Sequence, residues 1–249
     1  MRTPRSTLHV LAVVIAMGAA SLAAQAPAAP QQLGIKYVRD SEEYAALSRQ
    51  VYRMAGDAVT HAAAATAGRP WAVVLDLDET TLDNSTYQLE RAAYGLPFDA
   101  ASWAAWIKRR EAGAVPGVAD FVALVRRTGG HVAWITNRDA AAADDTRENM
   151  RTLKLWADDD RLCPQKNAQN TKAVRRGELV GGKGDCAWSG IEIQVVAFVG
   201  DQMGDFPDAA EHIPGAGGAG GDDAFGRVCF LLPNPMYGGW AAAGVTRKR

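Results

Sequence analysis

The sequence predicts an α/β fold: a parallel sheet flanked by helices. Three observations carry this expectation. Short apolar runs recur at Ala72–Leu75, His131–Thr136 and Ile193–Val199, the pattern of strands buried on both faces. Helical patterns separate them, and strands alternating with helices give a parallel sheet with right-handed crossovers. Each run also ends abruptly in polar residues, at Asp76, Thr136-Asn137-Arg138 and Gly200-Asp201. The carboxyl edge of such a sheet is where ligands bind. A chain of 249 residues, 48% hydrophobic, suits a single domain with a sizeable core.

In chain order, residues 1–26 stand apart. Arg2 and Arg5 precede an apolar run, Val10–Ala24, and Ala24-Gln25-Ala26 matches an A-x-A cleavage site, so the segment reads as a secretory signal peptide. The Pro- and Ala-rich residues 27–36 read as a linker. Asp40, followed by Glu43, looks like a helix start. Tyr44, Leu47, Val51, Ala55 and Val59 recur at helical spacing, predicting one amphipathic helix from Asp40 to about Ala67. Gly68-Arg-Pro70 stops it and the first strand begins. Beyond that strand, Phe98-Asp99 leads into a helical segment with Trp103, Trp106 and Ile107, and Val115-Pro116-Gly117 marks a turn. A helix over Val118–Thr128 closes at Gly129-Gly130. The second strand, an Ala-rich charged helix to about Leu155, a helix over Lys172–Val180, the third strand and a last strand at Arg227–Leu232 complete the chain. Gly215–Gly220 fits the letters of a dinucleotide fingerprint. It neither follows an apolar strand nor opens a helix, which that fingerprint requires, so a surface loop is the better reading.

Composition narrows the partners. Losing Arg2 and Arg5 with the leader takes the formal charge from −1 to about −3, without the basic face a nucleic-acid polymer demands. Of three cysteines, Cys229 lies in the apolar run Val228–Leu232 and reads as a single buried thiol. Cys163 and Cys186 bracket a polar loop and helix and are the better pair for a bridge, which an exported protein permits. Three unbridged thiols is the alternative.

The chemistry gathers at strand ends. Asp76-Leu-Asp78-Glu-Thr80 sets two carboxylates close together. Such a pair repels unless a cation intervenes or one group is protonated, and a divalent metal with oxygen ligands is the simplest resolution. Thr136 ends the second strand, Lys172 opens a helix, and Asp201 and Asp205 follow the third strand. Taken singly, each has a bland reading as cap, turn or surface charge. In this order at strand ends, the set is far more specific.

With these residues the chain resembles the haloacid dehalogenase superfamily of phosphotransfer enzymes. Within it, Val73–Thr80 with Leu82-Asp-Asn-Ser85, Ala114–Gly117, Ile135-Thr-Asn-Arg138, Lys172 with Arg175, Gly200–Phe206, and Leu232–Gly238 with Trp240 are similar to the class C acid phosphatases, a lipoprotein-type 5′-nucleotidase family. The resemblance spans residues 40–240. It implies a Rossmann-like core with a small helical cap, contributed by about 40–68 and 85–115, in a single domain over 27–249. No cysteine stands in or just after the leader, so a lipid anchor is not expected. A soluble exported protein, periplasmic or extracellular, is.

The resemblance assigns roles. Asp76 is the nucleophile of an aspartyl-phosphate mechanism and Asp78 the general acid, then base. Mg²⁺ is held by Asp76, the Asp78 carbonyl and Asp201, with Asp205 holding metal-bound water. Thr136, Asn137 and Lys172 hold the phosphoryl group. The expected function is a secreted Mg²⁺-dependent phosphomonoesterase acting on 5′-nucleotides. The alternatives are a broad-specificity acid phosphatase and a non-catalytic metal- or phosphate-binding protein. The expected partner is a small phosphomonoester; a homodimer is left open. For a nucleotide base, Trp103 and Tyr237 are the expected aromatic walls, with Trp106 and Trp240 assigned to packing.

Overall fold

The computed structural model describes residues 30–208, 210–211, 213–214 and 222–245. The leader 1–26 and the Gly-rich stretch 215–220 lie outside them. The elements run α1 (Pro30–Asp40), α2 (Glu42–Ala65), β1 (Trp71–Leu75), β2 (Leu82–Asp83), α3 (Ser85–Ala93), α4 (Ala100–Arg109), β3 (Gly113–Ala114), α5 (Val118–Arg127), β4 (His131–Asp139), α6 (Ala143–Thr152), β5 (Arg161–Gln165), α7 (Lys172–Val180), β6 (Gln194–Gly200) and β7 (Cys229–Leu231). Five strands form one sheet in the order β5-β4-β1-β6-β7, and every neighbouring pair is parallel. β2 and β3 form a separate two-stranded antiparallel ribbon.

β1 lies at the centre and all five of its residues are buried. Its alternation divides two cores. Trp71, Val73 and Leu75 pack on one face with Tyr52, Ala55 and Val59 of α2 and Phe121, Val122 and Val125 of α5. Ala72 and Val74 pack on the other with Leu179, Trp188, Ile193 and Phe206. Burial on both faces is why the strand carries no polar residue until Asp76.

The structure corrects three expectations. Residues 27–36 are not all linker, because α1 already begins at Pro30. The helix expected from Asp40 to about Ala67 is α2, but its cap is Ser41 rather than Asp40: Ser41 accepts the Tyr44 N–H at 3.0 Å. α1 is held by packing, with Ile35 and Val38 against Tyr44 and Met236. Gly34 backs onto the Pro235 carbonyl, where a Cβ would collide. α2, in the segment 40–68 that the resemblance assigns to a cap, buries Tyr52, Ala55 and Val59 in the sheet's own core. β5 was not foreseen. It is short, contains Pro164 and pairs only with β4, as an edge strand tolerates. That pairing also carries β4 past Thr136 to Asp139, opposite Gln165.

Candidate active site

The parallel sheet delivers its strand ends to one edge, where a cleft of about 660 Å³ opens. Asp76, Asp78, Asn137, Arg138, Lys172 and Asp205 line its floor, with Gln88, Phe98, Trp103 and Tyr237 around it. The turn after β1 is tied down by three threonine and tyrosine contacts. Thr81 Oγ1 donates to the Asp76 carbonyl at 2.7 Å, Tyr52 Oη to the Thr80 carbonyl at 2.7 Å, and Thr80 Oγ1 to Asp201 Oδ1 at 3.2 Å.

Asp76, Asp201 and Asp205 are buried, and each offers an oxygen within 4.8 Å of the others. Lys172 Nζ donates to Asp76 Oδ1 at 2.5 Å and to Asp205 Oδ1 at 2.6 Å. Lys172 is the first residue of α7, where a cation opposes the helix dipole; the two carboxylates offset that. Burial pulls its ammonium down, but Asp76 and Asp205 more than compensate and its pKa ends raised. Burial pushes Asp76 well above the ordinary carboxylate range, against Lys172, with Asp205 and Asp201 adding to the rise. Burial and then Asp205 push Asp201 up to about 6. An all-oxygen carboxylate cluster with one lysine fits a hard divalent cation, which would favour the ionised forms. Asp205 is oriented by the backbone: its Oδ2 accepts from Asp201 N–H at 3.0 Å and Gln202 N–H at 2.8 Å. Gly200 leaves room for it, since a Cβ there would strike the Asp205 carboxylate.

Asp78 meets different partners. Its Oδ1 accepts from Arg138 Nε at 2.9 Å, Arg138 Nη2 at 2.7 Å and Asn84 Nδ2 at 3.0 Å. Three donors on one oxygen leave Oδ2 as the atom able to exchange a proton in the cleft. Asn84 is fixed in turn by Trp106 Nε1, which donates to its Oδ1 at 2.9 Å. Arg138 Nη1 donates to Thr146 Oγ1 at 3.1 Å. Beside Asp78, Glu79 takes φ +61° and its Oε1 accepts Asn84 N–H at 3.0 Å. Burial, then Asp78, push its pKa well above the ordinary carboxylate range.

Two expected residues fall differently. The Thr136 side chain is fully buried beneath the cleft lining, where its hydroxyl accepts Arg138 N–H at 3.1 Å. Its neighbour Asn137 does line the cleft. Arg175 Nη2 occupies Asn137 Oδ1 at 2.9 Å, which leaves the amide N–H groups to turn toward an oxyanion. Trp240, assigned to packing, is 56% exposed and donates through Nε1 to the Asn234 carbonyl at 3.1 Å.

Arg138, Asn84 and Asn234, whose Nδ2 holds Asp201 Oδ2 at 2.8 Å, were not singled out from the sequence. Each stands inside a quoted motif, but its role depends on a partner 33 to 60 positions away or on a turn that folds back.

A sequence model for HAD superfamily, subfamily IIIB (Acid phosphatase) matches residues 7–240. The structure is similar to that of the class C acid phosphatase from Bacillus anthracis. The two share 28% identity, with a TM-score of 0.68 over 84% of this chain and 86% of that one. The Bacillus anthracis enzyme with tungstate bound gives 26% identity and a TM-score of 0.69 over the same shares. Strand order, the carboxylate cluster at the sheet edge and these matches agree: the chain belongs to the HAD-superfamily subfamily IIIB acid phosphatases, of the class C type, and is a phosphomonoesterase.

Proposed function

We propose that this acid phosphatase is an exported, Mg²⁺-dependent enzyme preferring nucleoside 5′-monophosphates and working through an aspartyl-phosphate on Asp76. The observation carrying the chemistry is the contrast within the D-x-D pair. Asp76 sits among carboxylates and Lys172, whereas Asp78 keeps one oxygen toward the cleft.

Asp76 attacks phosphorus and the leaving alcohol departs with a proton from Asp78 Oδ2. Asp78 then takes a proton from the water that cleaves the acyl phosphate. Lys172 Nζ and the Asn137 amide hold phosphoryl oxygens, with Thr136 supporting from below through Arg138 N–H. Mg²⁺ would be held by Asp76, the Asp78 carbonyl, Asp201 and Asp205, and supplies charge neutralisation between the nucleophile and an anionic substrate. The tungstate-bound relative supports oxyanion binding in this family.

The nucleotide preference rests on the aromatic walls. Trp103 and Tyr237 both line the cleft, with Phe98 beside them. Trp103 is braced edge-on by Tyr87 at 5.0 Å. Its indole face carries the Arg138 guanidinium at 5.6 Å, so the residue is held as a wall. Tyr237 is braced from behind by the cluster of α1 with Met236. Export rests on the leader at 1–26; among the described residues no helix is long and apolar enough to cross a membrane.

The test is phosphate release from a panel of nucleoside 5′-monophosphates, p-nitrophenyl phosphate and glycerol phosphate, with EDTA and with Mg²⁺ restored. The expected result is EDTA-abolished turnover with the highest kcat/KM on nucleotides. EDTA-resistant turnover overturns the metal; equal kcat/KM on glycerol phosphate moves the reading to a general acid phosphatase.

A further inference from the structure

We propose that Cys163 and Cys186 are a disulfide-forming pair, an oxidation site that closes a covalent loop around the helix carrying Lys172. The two thiols lie 1% and 3% exposed, line one small crevice and belong to the same buried cluster. Cys163 is the middle residue of β5; Cys186 belongs to the stretch between α7 and β6, residues 181–193, which has neither helix nor strand. That stretch is held against β5 on either side of the pair. Arg161 Nε donates to the Ala187 carbonyl at 3.1 Å, and Lys166 pairs with Asp185. From α7, Glu178 Oε2 accepts the Cys186 N–H at 3.2 Å.

This is where the fold gains most from a covalent tie. β5 is an edge strand with one neighbour, and a long irregular segment is entropically costly to hold on it. A link from 163 to 186 encloses Lys172 and Arg175 and removes that freedom from the unfolded chain. The link also stands one side chain from the cleft. Arg175 Nη1 donates to the Cys163 carbonyl at 2.8 Å and also to the Thr136 carbonyl, while Nη2 holds Asn137. Tying β5 to the segment that follows α7 therefore steadies the mount of Asn137.

The chemistry is thiol–disulfide exchange with an oxidant disulfide, either a dithiol oxidase in its disulfide form or an oxidised low-molecular-weight thiol. Cys186, on the irregular segment that can open without breaking the sheet, is the attacking sulfur and gives up its proton as it attacks. It cleaves the oxidant's S–S bond, forming a mixed disulfide and releasing one oxidant thiol. Cys163 then displaces the second oxidant thiol and forms the internal bond. Two electrons and the two protons of the cysteines end on the oxidant. Because both sulfurs are buried, the exchange takes place as the segment folds or opens locally.

The experiment is a thiol map of the full chain. Protein treated with oxidised glutathione is denatured, alkylated without reductant and digested. The expected map shows Cys229 alone alkylated and a Cys163–Cys186 peptide that disappears on reduction. Cys229→Ser should keep the link and Cys186→Ser should lose it. The oxidised protein should melt about 6–12 °C above the reduced one, and Cys163→Ala/Cys186→Ala should be indifferent to reductant. Three alkylatable cysteines after oxidation, a link through Cys229, or a reductant-insensitive melting temperature overturns the proposal.

Discussion

The two carboxylates of the D-x-D motif stand two positions apart and belong to different environments. Asp76 is on the floor, buried among Asp201, Asp205 and Lys172. Asp78 faces Arg138 and Asn84, with its side chain 19% exposed and one oxygen taken by a guanidinium and an amide. The floor concentrates negative charge that a cation must neutralise. Asp78 has its charge neutralised within the protein by Arg138. The difference teaches that one short motif can make a nucleophile and an acid–base group by directing each side chain to a different layer.

The sharpest way to break this contrast is to remove the floor's nucleophile. Asp76→Asn should lose activity by several orders of magnitude while leaving circular dichroism and melting cooperativity in place. A folded variant retaining more than about a tenth of turnover, a barrier change under about 1.4 kcal/mol, would put the nucleophile elsewhere. Next comes the acid–base partner. Asp78→Asn should still release a good leaving group such as p-nitrophenol in a burst of about one equivalent, then stall, while poor leaving groups fail at the first step. A loss equal for both, without a burst, would reduce Asp78 to scaffolding.

Weaker effects test the walls. Tyr237→Ala should lower kcat/KM for nucleoside 5′-monophosphates by about 10- to 100-fold, the worth of one stacked base, and barely change glycerol phosphate. Equal losses on both would make Tyr237 a support for the fold.

The smallest effect is read by stability. Asp201 titrates at about 6 in the folded protein against an ordinary 3.8, raised by burial and then Asp205. The folded state therefore binds its proton more tightly than the unfolded chain. The stability this group contributes is full below about pH 4 and lost as pH rises through about 6, on the order of 3 kcal/mol. In EDTA this group should lower the melting temperature across that window. Mg²⁺, which prefers the ionised carboxylate, should raise it increasingly from pH 4.5 to 7. A Mg²⁺ shift that is flat or shrinks with pH would remove Asp201 from the cation site.

By itself the sequence determined the sheet's three central strands, β1, β4 and β6, and where their chemistry emerges. A strand buried on both faces must be apolar throughout, so Asp76 and Asp201 could stand only where the strand ends. Lys172 was legible only as one of the ordered set of polar residues at the strand ends; in the structure Thr171 before it caps α7, accepting Val174 N–H at 3.3 Å. Tertiary structure alone decided β5, α1 and the contacts that hold Asp78. β5 has no apolar signature because an edge strand makes few demands on composition. α1 looked like linker because its stability comes from packing Ile35 and Val38 on Met236, a residue some 200 positions away. The hold on Asp78 by Arg138, Asn84 and Trp106 joins β4, the turn before α3 and α4. No spacing within one element reveals such a network, because its energetics depend on directions that exist only once three elements have packed together.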